Sequence, residues 1–177
     1  MNLGSRLLRA HVWFAREGDT FTVPSNGTVS RTSMPGATDA SYRYCGIIKD
    51  ASVETNTDKV EVFAPSPGAL KLYDVLESKR TVKLTFTLSQ LGPLALELFF
   101  KTGKLTESST EFAPLSAGEI NGWLKFQYYD HKNNLVMTMD AYCHVEASGA
   151  LKGGENELAE IQLTATLLDS PLNNIGI

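Results

Sequence analysis

Three histidines, two cysteines and one run of alternating polar residues are where this chain gathers groups able to do chemistry. His11, His131 and His144 stand apart, in no HxH or HExxH pattern and in no Cys/His cluster with zinc spacing. Cys143 and His144 adjoin, but neighbours on a strand point to opposite faces and cannot chelate together. Asp140, Tyr142, His144 and Glu146 do share one face of an alternating stretch. Alternate residues on a strand are about 7 Å apart, and no Ser or Cys is placed by sequence to complete a triad around Asp140 and His144. The Gly-rich stretch 149–154 follows a strand, yet what comes after it is another alternating strand, where a phosphate cradle needs a helix N-terminus. Glu107 and Glu111 lie in a polar connector with no apolar context to raise a carboxyl pKa. The pattern points away from catalysis and calls for no cofactor and no metal.

The elements that carry these residues are mostly strands. Residues 80–88 alternate without a fault: Val82, Leu84, Phe86 and Leu88 on one face, Thr81, Lys83, Thr85 and Thr87 on the other. Residues 135–146 and 157–168 repeat that pattern, the first with Met137, Met139, Ala141, Cys143 and Val145 together and the second with Ile161, Leu163, Ala165 and Leu167. Residues 7–15, 42–49, 51–56, 59–64, 70–77 and 122–130 are the further strands, with turns at Asn56-Thr57-Asp58 and at Pro65-Ser66-Pro67-Gly68. The period changes once. Leu91, Leu94, Ala95, Leu98 and Phe99 recur at helical spacing, so a short helix spans 91–101 and packs Leu94, Leu98 and Phe99 on a sheet. Ser89 suits its N-cap and Gly103 the left-handed residue past its end.

Between Glu17 and Ser41 the chain turns to Gly, Ser, Thr, Pro and Asn, punctuated by Phe21, Val23, Val29 and Met34. A segment that long without structure of its own is uncommon inside a domain, and an arm that orders against a partner is the sharper expectation. One domain, residues 1–177, accounts for the length. A net charge of −4 argues against a free-standing nucleic-acid binder, which carries a basic patch. No run approaches the ~20 apolar residues that cross a bilayer, and Arg6, Arg9 and His11 interrupt any secretory h-region, so neither a membrane nor secretion is expected. Cys45 and Cys143 read as small buried thiols, since two cysteines make no disulfide scaffold. Many antiparallel strands with a single helix give a mainly β fold, an antiparallel β-sandwich flanked by one short α-helix.

The block from Tyr44 to Phe100 resembles the tail tube (major tail) proteins of long-tailed bacteriophages. The resemblance is carried by Cys45-Gly46-Ile47-Ile48-Lys49-Asp50 (a G-x-I-x-D phrase), by Ser52-Val53-Glu54, by the Thr-rich strand 80–88 and by the helix 91–101. It covers about a third of the chain. It implies a structural subunit that self-assembles into stacked, hexameric rings, whose inner sheets join in a continuous β-barrel around the path of DNA ejection. It further implies tape measure and tail terminator or initiator proteins as partners, DNA passing without specific binding, and a place in the virion tail after assembly in the host bacterial cytoplasm. The 17–41 segment, with Phe21, Val23, Val29 and Met34, takes the position of the family's inter-ring loop.

Two other readings fit the same strand pattern. A type VI secretion-like tube protein would share the fold. A carbohydrate-recognising β-sandwich module would use Trp13, Trp123, Tyr128 and Tyr129 as a stacking platform, although the adjacent Tyr128 and Tyr129 face opposite ways.

Overall fold

Alternation decides where the sheet buries itself. Leu84, Phe86 and Leu88 are fully buried, while on the opposite face the Thr85 hydroxyl lies 3.3 Å from that of Thr164. A slip of one residue would carry the whole apolar set to solvent, so this register is firmly held. The computed structural model describes residues 7–176. Its strands are β1 (Leu7–Arg16), β2 (Thr20–Phe21), β3 (Gly27–Thr28), β4 (Arg43–Tyr44), β5 (Ile48–Ser66) and β6 (Ala69–Leu88). After the helix α1 (Pro93–Phe100) come β7 (Asn121–Asp130), β8 (Leu135–Ala147), β9 (Lys152–Gly154), β10 (Glu157–Leu167) and β11 (Asn174–Gly176).

The fold is mainly β and antiparallel, with one short flanking helix. Its layers belong to one sheet, ordered β4-β1-β7-β8-β10-β6-β5, with β11 along β8 and β9 along β10. That sheet rolls over on itself. The start of β5 comes back against β1 and β7, where the Tyr128 hydroxyl donates to the Ala51 carbonyl at 2.8 Å and the Cys45 amide donates to the Val12 carbonyl at 2.9 Å. The enclosed core takes Val12 and Phe14 from β1, Phe126 from β7, Met139 and Val145 from β8, Leu163 from β10 and Phe86 from β6. Leu94 and Leu98 of α1 close one side of it, with Phe99 half-buried beside them.

The helix differs from its expected limits at both ends. It starts at Pro93, whose fixed φ suits the first turn, after an extended Gly92 that supplies the N-cap without a side-chain bond. Ser89 instead directs its amide to the Ile47 carbonyl at 2.9 Å. At the far end Lys101, φ 51°, takes the left-handed conformation foreseen for Gly103. The Thr102 amide then closes on the Glu97 carbonyl at 3.2 Å.

Two further boundaries move. Residues 42–49 are split between two strands: Arg43 and Tyr44 pair with β1, Gly46 turns the chain at φ 115°, and Ile48 opens β5 opposite Leu88. Asn56-Thr57-Asp58 is no turn: these residues pair with Thr81, Arg80 and Lys79 inside one uninterrupted strand. Turn-forming residue types are tolerated there because the ribbon is exposed to water on both faces.

Candidate assembly surface

That uninterrupted ribbon is the dominant surface feature. β10 accompanies β6 only as far as the Lys83–Thr166 pair. Beyond it β5 and β6 continue alone from Glu54 to Ser66 and back, turning at Gly68 with φ 83°. Thirteen residues at ~3.3 Å each make an arm about 40 Å long. Among the described residues no strand lies along the outer edge of β5, or along β6 from Val82 to the tip. Ser78 and Tyr73 stand unpaired as bulges in β6.

The arm's two faces differ. Val53 pairs with the core residue Leu84, and the same face runs outward through the polar pairs Thr57–Arg80 and Lys59–Glu77 before it reaches Phe63 opposite Leu72 and Pro65 opposite Leu70 near the tip. Phe63 is 51% exposed, Leu72 53% and Leu70 70%. The tip of the arm therefore carries an apolar patch of its own, uncovered among the described residues. Fully burying such a side chain is worth ~1.5–3 kcal/mol, so covering these three half-covered ones would gain on the order of 3 kcal/mol. A two-stranded ribbon is at best marginally stable in water by itself. The opposite face is polar near the body, where Ser52, Glu54, Asn56 and Asp58 stand across from Thr85, Lys83, Thr81 and Lys79, and turns apolar further out at Val60 opposite Leu76.

The expected partner-ordered arm, 17–41, is packed on its own chain. Phe21 and Val29 are buried with Ala15, Trp123 and Tyr142 in a second core, and Met34 packs against it; Val23 alone of the four stays exposed, at 40%. The Asp39 carboxylate accepts the Thr22, Val23 and Ser41 amides at 2.8–2.9 Å. These bonds hold it well below the usual carboxylate range. The Trp123 indole donates to the Ser30 carbonyl and the Lys125 ammonium to the Ala37 carbonyl, both at 2.8 Å.

This packing changes the meaning of the polar face on β8. Tyr142 lies under the segment, and burial, with the Glu17 carboxylate adding to it, pushes its phenol up to about 12. Asp140 is half-buried, its Oδ1 has no partner, and burial raises its pKa while Lys125 partly offsets the shift. Lys125 is covered by the same segment, and burial lowers its pKa. His144 turns to Asn121, 2.9 Å away, and does not pair with Asp140. The thiols of Cys45 and Cys143 are buried and burial pushes each up to about 12. Among the described residues no three His, Cys, Asp or Glu gather to hold a metal ion.

The stacking platform is taken apart as well. Trp123 is fully buried and Tyr128 points inward to Ala51. Trp13 remains in a surface group with His11, Tyr44 and Tyr129, but the rings are tilted at 36–84° to one another and offer no common plane.

Sequence reasoning also missed Glu97. Its side chain is fully buried in α1 and accepts Arg16 Nη1 at 2.8 Å, Arg43 Nη1 and Nη2 at 2.9 Å, and the Leu105 amide at 2.9 Å. It ties the helix to β1, β4 and the following loop. A Glu within an apolar helical stripe was the available signal.

No family model matches the chain, and no curated protein sequence matches it. Among solved structures the chain is similar to a subunit in the tail of an empty GTA particle refined with C6 symmetry, at 9% identity and TM-score 0.39, over 78% of this chain and 88% of that one. It is also similar to a chain of the 6-fold symmetrised baseplate of the anti-feeding prophage, at 11% identity and TM-score 0.40, over 99% and 97%. These likenesses are low, and the functional reading rests on the chain's own geometry and motifs.

Proposed function

We propose that this chain is a structural subunit of a phage tail tube. Copies close into a ring, hexameric by the family resemblance, and rings stack into the conduit for DNA ejection. The supporting observation is the 40 Å ribbon of β5 and β6 with both edges open (~3.3 Å per residue). Rotation about one axis sets the outer edge of β5 in one copy beside the free edge of β6 in the next, and those strands run antiparallel. Repetition gives a closed sheet with no edge left over, the arrangement that removes the hazard of an exposed strand. The contact is head-to-tail, the kind that generates rings. On this reading the arm takes over the partner-binding part first assigned to residues 17–41. Tape measure and terminator or initiator proteins then meet the finished tube in the virion tail.

The test is light scattering and negative-stain microscopy of the purified chain beside a variant in which residues 56–81 are replaced by Asn-Gly. Rings or tubes from the full chain and monomers from the shortened one are expected. A full chain that stays monomeric across a wide concentration range overturns the proposal.

A further inference from the structure

Lys125 is buried with a choice of acceptors. It stands on β7 directly opposite Asp140 on β8, and side chains so placed have Cβ atoms about 5 Å apart, within reach of a lysine stem. The ammonium nevertheless turns away from the sheet. It donates to the Ala37 carbonyl at 2.8 Å and lies 4.5 Å from the centre of the Tyr42 ring. No hydrogen bond or ion pair among the described residues joins it to Asp140, whose Oδ1 is out of contact with solvent and has no partner. A buried acceptor left in that state is uncommon and destabilising. The donor placed to satisfy it is the same ammonium that holds Ala37, and with it the strap of residues 17–41, down on β7 and β8. The two acceptors therefore compete for one lysine.

We propose that Lys125 is a latch with two seats: on the Ala37 carbonyl it keeps residues 17–41 closed, and on the Asp140 carboxylate it lets that strap lift. Lifting uncovers Trp123 and Tyr142, which the closed strap seals in a small core with Phe21 and Val29. The latch stands whether or not the chain builds a tube. It also has a pH sign. Around the pair stand Tyr42 and Asp39 from the strap and Tyr142 from β8, while β11 brings only the neutral Asn174 opposite Asp140. Burial keeps both phenols neutral, and Asp39, held ionised by backbone amides, protonates only below 3.8. Unpaired Asp140 has its pKa raised above 3.8 by burial, and pairing with Lys125 would lower it. Protonation therefore favours the closed strap, and closure weakens as pH rises through the raised value.

The experiment is hydrogen exchange on the full chain, read at the amides of Gly36 and Asp39, which bond within the strap to the Val23 and Gly36 carbonyls. Their rates are taken relative to the Val145 amide, which bonds to Ile120 in the body of the fold. Asp140→Asn keeps the shape and removes the competing charge. It is expected to slow strap exchange roughly tenfold, the weight of one hydrogen bond to a charged group. Lys125→Met should speed strap exchange, and adding Asp140→Asn to it should then change nothing. In wild type the strap rate, corrected for intrinsic exchange, should fall from pH ~7 to pH ~4.5, and in Asp140→Asn it should stay level. Strap exchange in Asp140→Asn as fast as in wild type or faster, an undiminished effect of Asp140→Asn without Lys125, or a wild-type strap rate indifferent to pH each overturns the latch. Should Lys125→Met fail to fold, the Asp140→Asn comparison and the pH series decide it without that variant.

Discussion

Replacing Glu97 by Gln tests the buried carboxylate that joins Arg16 and Arg43 to the helix. The carboxylate is fully buried and accepts from two arginines and one backbone amide. Gln keeps the shape but turns an amide N–H toward a guanidinium and leaves two cations without their counter-ion. Breaking a buried pair on one side typically costs ~3–5 kcal/mol. Arg16 and Arg43 are 17% and 21% exposed and can recover some hydration, which puts the loss near the lower bound, about 3 kcal/mol. For a domain of this size ~1 kcal/mol moves Tm by about 2–4 °C, so a fall of about 6–12 °C is expected by circular dichroism. The replacement of Arg16 and Glu97 together by Met and Leu should recover part of it, because no uncompensated charge remains on the Arg16 side. A Tm within ~2 °C of wild type for Glu97→Gln would refute the claim that this carboxylate locks α1 onto β1 and β4.

Four further outcomes follow from the packing. Leu98→Ala removes a fully buried side chain under the helix and should cost about 2–5 kcal/mol in urea unfolding, with the half-buried Phe99→Ala costing less than a fully buried Phe would. Gly122→Ala should destabilise strongly, since an added Cβ would land on the Ala15 carbonyl where β1 and β7 pair. Asp39 and Asp130 are held below their ordinary carboxylate value of 3.8 by backbone amides of Ser41 and Asn134 first. Depressed folded-state values stabilise above 3.8 and lose that contribution as pH falls further; the urea midpoint should drop between neutral pH and pH ~3, and by less in Asp39→Asn. Cys45 and Cys143 should resist iodoacetamide in the native chain at neutral pH and react fully in denaturant, because burial disfavours both thiolates.

The parts of the fold legible in the sequence are those where period and burial coincide. In 80–88, 135–146 and 157–168 one face meets the core along much of the strand, and alternation states it directly. The helix was legible through its stripe, although its caps were not: Pro93 and Lys101 settle them through backbone geometry, not residue type. The arm was hidden because alternation at Val60 and Val62 looks the same whether or not anything covers the face. Asn56 and Asp58 then read as a turn, when an exposed ribbon accommodates them without strain. The compact order of residues 17–41 depends on Asp39, Trp123 and Lys125, separated along the chain by up to 86 positions, 125 − 39, and no local window contains it. Glu97 escaped for the same reason, its partners lying at positions 16, 43 and 105.

The two surplus residues of β6, Ser78 and Tyr73, have a consequence for what can join the ribbon. Each insertion adds coil to a strand pair. A flat border accepts almost any extended peptide, whereas a coiled one is followed along its length only by a backbone of the same pitch. Another copy of this ribbon has that pitch by construction, and a stray unfolded segment does not. Selectivity of this kind is a matter of curvature and needs no individual side chain to enforce it.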